Sequence, residues 1–424
     1  MKVFFRGFLV LVLVTFLAGS VYAEPSAKDL QGQLEKLMKQ VNEQKKQIET
    51  LQDKIGDMQT KQAPQAAAAA APAEVKVNSK YKLNIYGKVK FDGIYDTNNM
   101  GKDEFITYVP KTADGKDRAT FNVRDTRLGI AIEGPSVYGW TPRGRFESDF
   151  YGNAQDLSSN GALRIRLAYI DFAKGDTSIR VGQDWTPIAS LNPTTLDFAI
   201  AGYNGNLWNR VPQITVQQKL GGGFEGLLSA YRYRWADDND KFGSADVTTQ
   251  IQMPWVAAKI GYSGLLLDAD RKAWVALGGA VRKGEVADND VTPYLLALEL
   301  QIPFNMFELK GEAYMGQGLG GEYFHKGGSF NTTGHAILTS GGWAQLNVRP
   351  MKDIDVNLGY GMDDPKDSDV SGSFYRQSQY TFGNVIYQIM KDISAGVEGT
   401  YVNTEWDTRS QHGWRYTTSL MYNW

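Results

Sequence analysis

Residues 413–424 read GWRYTTSLMYNW, and they alternate. Trp414, Tyr416, Leu420, Tyr422 and Trp424 share one parity, whereas Arg415, Thr417, Ser419 and Asn423 share the other. Successive side chains of a strand point to opposite faces, so the stretch reads as a β-strand with one apolar side. Chain ends usually fray into polar residues. Here the apolar side runs through to Trp424, and the strand needs both a partner and an apolar surrounding.

The same period of two extends back to Tyr81. It divides residues 81–424 into sixteen candidate strands, near 82–95, 119–133, 139–151, 161–173, 176–186, 211–220, 223–236, 247–263, 272–284, 291–302, 305–316, 336–349, 353–363, 375–390, 392–405 and 411–424. In LNIYGKVKF (83–91), Leu83, Ile85, Val89 and Phe91 oppose Lys88 and Lys90. In YLLALELQI (294–302), Tyr294, Leu296, Leu298, Leu300 and Ile302 oppose Glu299 and Gln301. The connections sort by length. Residues 96–118, 187–210, 237–246, 317–335 and 364–374 are long, and between them fall short turns such as AKGD, LGGG, PFN, RPMKD and MKD. Strict alternation of long and short connections predicts a transmembrane barrel, with short periplasmic turns and longer outer loops. An even strand count leaves both barrel ends on the periplasmic side.

The front of the chain agrees. Lys2 and Arg6 precede an apolar run from Phe8 to Ala18, and Val21-Tyr22-Ala23 forms a small-residue cleavage site before Glu24. This reads as a secretory signal peptide over 1–23, too short for a spanning helix. The 45 Lys and Arg face 47 Asp and Glu, and loss of Lys2 and Arg6 would leave a net charge of about −4, which gives no reason to expect nucleic acid. There is no cysteine, so an exported chain has no disulfide framework, thiolate metal site or cysteine nucleophile. With 45 glycines, 12% aromatics and a mean hydropathy of −0.37, the composition suits a barrel better than a bundle of membrane helices.

Residues 24–61 carry heptads. Leu34, Val41, Ile48 and Ile55 fall at a, and Leu30, Leu37, Gln44, Leu51 and Met58 at d, which predicts a periplasmic coiled coil. Gln44 in that core suggests control of register or oligomeric state, although the heptads leave dimer and trimer open. Residues 62–80 are an Ala/Pro-rich linker before the barrel domain at 81–424.

Inward positions of such a barrel are free to be charged. Arg143, Arg145, Glu147 and Asp149 share one face of PRGRFESDF, and Arg164 and Arg166 share one face of LRIRLAY. A hairpin between these strands sets Arg164 opposite Asp149 and Arg166 opposite Glu147, so those arginines could be structural. Arg127, Arg143 and Arg145 lack such evident partners, and one register sets Arg127 beside Arg145, which favours a role toward a permeating anion. Lys82, Lys88, Lys90, Arg180 and, through barrel closure, Arg415 complete the basic candidates. Glu299, Glu308, Glu312, Asp355 and Glu398 are acidic candidates on later strands, and opposed walls would set up a field across the pore. A generally hydrated wall of mixed charge is the alternative.

The connection 187–210 is too apolar for a solvated loop. Ile188, Leu191, Leu196, Phe198, Ile200, Leu207 and Trp208 need cover, while Asp197 is its only acid and Arg210 its base. Folding inward would provide cover and narrow the pore; a lid over the mouth or a subunit contact would bury the same residues.

With TRLGIAIEG (126–134), LRIRLAYIDF (163–172) and VGQDWTPI (181–188), added to the leader, coiled coil, linker and terminal aromatic, the chain resembles the DcaP-like trimeric porins. The resemblance implies a homotrimer with one pore per subunit, an inward third loop, and uptake of small organic anions such as dicarboxylates. It would place Arg127, Arg143, Arg145, Arg164, Arg166 and Arg180 on the basic side, and Trp424 resembles the signal read by barrel-assembly machinery. Phosphate-selective porins have a similar layout, but Glu147 and Asp149 interrupt the basic ladder those porins use. Outer-membrane lipid and lipopolysaccharide are the expected surroundings, and the coiled coil offers a tether to peptidoglycan, with the barrel as anchor. A barrel hydrolase would need His325, His335 or His412, whose spacing specifies no triad or ligand set. The acidic stretches ADDND and DDPKDSD lack a calcium-loop pattern. The reading is therefore a non-enzymatic channel without cofactor or metal.

Overall fold

The computed structural model describes residues 80–152, 161–232, 249–286, 289–320, 328–331, 333–370 and 374–424, together with Lys39, Glu43 and Lys46. These last three are helical and exposed. The remainder of the leader (1–23), of the coiled coil (24–61) with its core Leu34, Leu37, Val41, Gln44, Ile48, Leu51 and Ile55, and of the linker up to residue 79 lies outside the described residues, as do His325 and the ADDND stretch.

Period-two segments pair in chain order because neighbouring strands joined by tight turns meet first. The strands are β1 (Lys82–Asp96), β2 (Arg118–Asn122), β3 (Arg127–Glu133), β4 (Thr141–Asp149), β5 (Arg164–Lys174), β6 (Thr177–Trp185), β7 (Arg210–Gly221), β8 (Phe224–Tyr231), β9 (Thr249–Gly264), β10 (Ala273–Val286), β11 (Asn289–Val291), β12 (Tyr294–Phe304), β13 (Phe307–Gln317), β14 (Leu338–Met351), β15 (Ile354–Pro365), β16 (Gln377–Met390), β17 (Ile393–Glu405) and β18 (Ser410–Asn423). Two expected strands are each broken once. Both β2 and β3 pair with β1, and both β11 and β12 pair with β10, so the elements form a closed antiparallel barrel of sixteen staves. The break after β2 has a local cause. The Asn122 side chain accepts the backbone N–H of Arg124 at 2.8 Å, and a side chain that captures backbone in this way diverts it from the ladder.

Closure is by β18 on β1, in register from Lys88–Asn423 to Asp96–Arg415. Along β18, Trp414, Tyr416 and Leu420 are exposed while Gly413, Arg415, Thr417 and Ser419 are buried. Leu83, Ile85, Val89 and Phe91 are exposed on β1, and Leu296 and Leu298 on β12, whereas Lys90 and Glu299 are buried. A fold that turns aliphatic side chains outward and carboxylates inward has an apolar exterior suited to lipid, with its backbone paired strand to strand around the wall. Of the long connections, 186–209 and the part of 97–117 up to Val109 pack inside this wall.

Candidate functional site

The loop between β6 and β7 crosses the barrel interior and is fastened to inward side chains of the far wall. The Glu299 carboxylate accepts the backbone N–H of Leu191 at 2.8 Å and of Ser190. Gln345 accepts from Thr194 at 2.6 Å, Glu398 from Leu196 at 2.7 Å and Asp197 at 3.2 Å, and Glu312 from Leu207 at 2.9 Å. From β1, the Lys90 ammonium donates to the Leu196 carbonyl at 2.6 Å. A loop with no strand partner must satisfy its backbone by other means, and these wall side chains do so. Its apolar residues fill the interior: Ile188 and Leu207 join Val211, Trp255 and Leu295, while Phe198 and Trp208 join Phe105 and Tyr151. The tip approaches the wall where two glycines permit it. A Cβ on Gly205 would stand 2.2 Å from the Gly342 carbonyl oxygen, and one on Gly361 would stand 2.3 Å from that of Asn204.

A second loop lies on the first. In residues 97–117, Met100, Phe105, Ile106 and Val109 are buried, and the Ile106 N–H donates to Asp197. Asn204 donates to the Thr107 carbonyl at 2.9 Å, and the Val109 N–H to Thr404 at 3.0 Å. Arg415 pins the assembly. It is fully buried, holds Asp96 through Nε at 2.7 Å and Nη2 at 2.6 Å, reaches Asp197 through Nη1 at 3.1 Å, and donates to the Lys102 carbonyl at 2.8 Å. Glu104 in the same loop has its pKa raised by burial, with Arg124 at 2.6 Å acting against the rise.

The opposite wall stays open. A cavity of about 640 Å³ at the short-turn end of the lumen is lined by Lys82, Tyr86, Glu133, Arg143, Arg145, Tyr169, Asp171 and Arg180, among others. Four of these are basic and two acidic. Arg145 donates to the Tyr86 hydroxyl at 2.6 Å, and its nearest carboxylate, Glu147, stands 3.9 Å away. Arg164 and Arg166 both engage Asp149, and Arg166 also holds Glu147 at 2.7 Å, so the expected ladder forms. It does so across a bulge between Glu147 and Ser148.

Three expectations need correction. Arg127 does not lie beside Arg145: β3 pairs with β4 with Ala131 opposite Arg145, and Arg127 faces Lys88 on β1. Nor are Arg127 and Arg143 without partners. Arg127 holds Asp125 at 3.0 Å, and Arg143 holds Glu133 at 3.0 Å. The acids Glu299, Glu312 and Glu398 do not form an open acidic wall, because each is under the loop it anchors. Glu308 is buried too, and Asp355, paired with Arg349 at 2.8 Å, remains accessible. Lys88 and Lys90 converge on Asp125 at 2.7 and 3.5 Å, leaving little of their charge to the pore. His335 is exposed in a turn with Thr333, and His412 lies against Tyr401.

Asp125, Asp96 and the 97–117 loop were not legible as site residues. The largely apolar FITYV at 105–109 was the available signal for that loop.

No family model matches the chain, and no curated protein does. Among solved structures, the outer membrane channel DcaP of Acinetobacter baumannii matches with a TM-score of 0.71 at 22% identity, over 81% of this chain and 97% of that one. The fold is that of a sixteen-stranded porin. The same porin fold is similar to an anion-selective porin from Comamonas acidovorans (TM-score 0.55, 13% identity, 81% of this chain, 100% of the other). It is also similar to Salmonella typhi OmpF in complex with daunomycin (0.56, 15%, 82% and 99%).

Proposed function

We propose that the chain is an outer-membrane porin for passive diffusion of small hydrophilic solutes, leaning toward anions such as dicarboxylates, and not an enzyme. The observation that carries the reading is the difference in accessibility between the two signs of charge. Side-chain exposure is 52% for Arg143 and 41% for Arg145, against 9% for Glu147, 0% for Asp149 and 1% for Glu299, while the accessible acids Glu133 (31%) and Asp355 (42%) are each paired with an arginine at least as exposed. A solute in the pore therefore meets mainly positive charge, although the chain as a whole is slightly acidic. Charge in a narrow, low-dielectric passage raises the local concentration of counter-ions.

On this reading the leader delivers the chain to the periplasm, Trp424 serves barrel assembly, and the barrel sits among outer-membrane lipid and lipopolysaccharide as a homotrimer. The coiled coil extends into the periplasm, where peptidoglycan is the partner within reach. Swelling of liposomes that contain the purified protein tests the transport reading. Succinate should enter faster than a diamine of similar length, and faster entry of the diamine would overturn it.

A further inference from the structure

The lipid-facing side of the wall is indented across β6 to β9, toward the ends that carry the long connections. A hollow of about 610 Å³ lies there among Val181, Pro212, Ile214, Ala230, Met253 and Pro254. Ile214 pairs with Ala230 and Ala230 with Val256, and all three are exposed on the outward parity. The sequence explains the indentation. Proline has no N–H for the ladder, so inside a sheet it belongs at a bulge or an edge. Pro254 falls where β9 bulges between Val256 and Met253 and its register against β10 slips by one. With Pro212 on β7 and Ala230 on β8, it sets short side chains on three successive strands.

Two cations flank the outer end of the hollow. Arg232 lines it and directly follows β8, its N–H donating to the Pro212 carbonyl at 2.9 Å. Lys283 of β10 is in register with Met253 and shares the outward parity of Leu277 and Val281. The two lie two strand spacings apart, ~10 Å across the sheet. Both are exposed, and among the described residues neither has an ion pair.

A cation on the lipid face is tolerated near the interface and costs more toward the midplane. Two of them on one patch without an acid call for an anion. The hollow calls for hydrocarbon, because an unfilled void forfeits dispersion contacts along its lining, and its proline and aliphatic side chains give water few partners. A lipid meets both demands at once, with its phosphate at the cations and an acyl chain running past Ala230 toward Ile214. Long connections mark the outer side of such a barrel, which assigns the patch to the outer leaflet.

We propose that this hollow, with Arg232 and Lys283, binds one phosphorylated lipid of the outer leaflet, its phosphate on the two cations and an acyl chain in the hollow. The remaining lipid-facing wall takes any chain, whereas this patch selects a headgroup. The inference rests on the outer-membrane placement and not on the anion preference of the pore.

Native mass spectrometry of the full-length protein in detergent tests it, with dioleoyl phosphatidate as probe. Dioleoylglycerol has the same chains without the phosphate, and inorganic phosphate has the charge without the chains. One phosphatidate per subunit should be retained, saturably, at concentrations at which dioleoylglycerol is lost. Arg232→Gln with Lys283→Gln should raise the half-saturating phosphatidate concentration about tenfold or more, as expected for losing charge-assisted contacts. Ala230→Trp keeps both cations but fills the hollow, and should weaken retention likewise; it also serves if the glutamine variant fails to fold. Unchanged retention in either variant would overturn the site, as would equal retention of dioleoylglycerol. Displacement of the lipid by inorganic phosphate at equal concentration would make the cations a free-phosphate site and overturn the proposal. Dissociation of the subunits in Ala230→Trp would do the same by making the hollow a subunit contact. A cation-side zero-current potential, which would overturn the anion reading, leaves this test unaffected.

Discussion

Replacing Arg415 with methionine should loosen both interior loops while leaving the barrel closed. Closure depends on backbone pairing of β1 with β18, which the side chain does not supply. What methionine removes is the sole buried cation that the described residues place on both Asp96 and Asp197. Stranding the acids of a buried ion pair costs about 3–5 kcal/mol. The least costly relief is to let water reach them, which means lifting the loops at 97–117 and 186–209. That free energy shifts a local opening equilibrium roughly a hundredfold to a few thousandfold. Hydrogen exchange reads the shift at Ile106 and Ala199, whose amides donate to the Asp197 carboxylate. Exchange at both should accelerate by a factor of that order, with noisier single-channel currents. Adding Asp96→Asn should recover part of the loss, because one stranded charge is then gone. Unchanged protection at Ile106 and Ala199 in Arg415→Met would refute the pin.

Arg143→Gln with Arg145→Gln should reduce anion preference in a salt-gradient measurement without loss of folded protein. Arg166→Gln should do the reverse, because that arginine is buried between Glu147 and Asp149: about 3–5 kcal/mol of stability is lost and selectivity is largely retained. Leu207→Ala should cost about 2–5 kcal/mol in the interior cluster and raise conductance as the loop loosens. Gly87→Val should hinder closure, since a Cβ there would meet the Arg127 carbonyl oxygen at 2.4 Å and the Trp424 ring at 2.6 Å. A lower heat-resistant fraction on gels, reflecting about 1–3 kcal/mol of overpacking, checks it.

The wall was legible because each stave carries its own period-two signal and each turn its own punctuation. Alternation in GWRYTTSLMYNW already assigned Arg415 to the inside and Trp414 to the outside. The apolarity of residues 187–210 already demanded cover. Partners set by long-range register were not legible. Arg127 was misplaced because the β3–β4 register sets Ala131, and not Arg127, opposite Arg145, and its partner was missed because the Asn122 side chain ends β2 early and brings Asp125 between Lys88 and Arg127. Glu299, Glu312 and Glu398 have the parity of pore-lining acids, and parity cannot tell an acid facing water from one facing another loop's amides. Arg210 stood out in sequence as the loop's base, but its place against the Trp185 and Trp208 rings is a property of the packed structure.

The central claim is that the pore presents positive charge because the acids of the far wall are covered by the loop they hold. The zero-current potential of the wild-type channel across a KCl gradient tests it directly. A potential on the chloride side is predicted, and one on the potassium side would contradict the account.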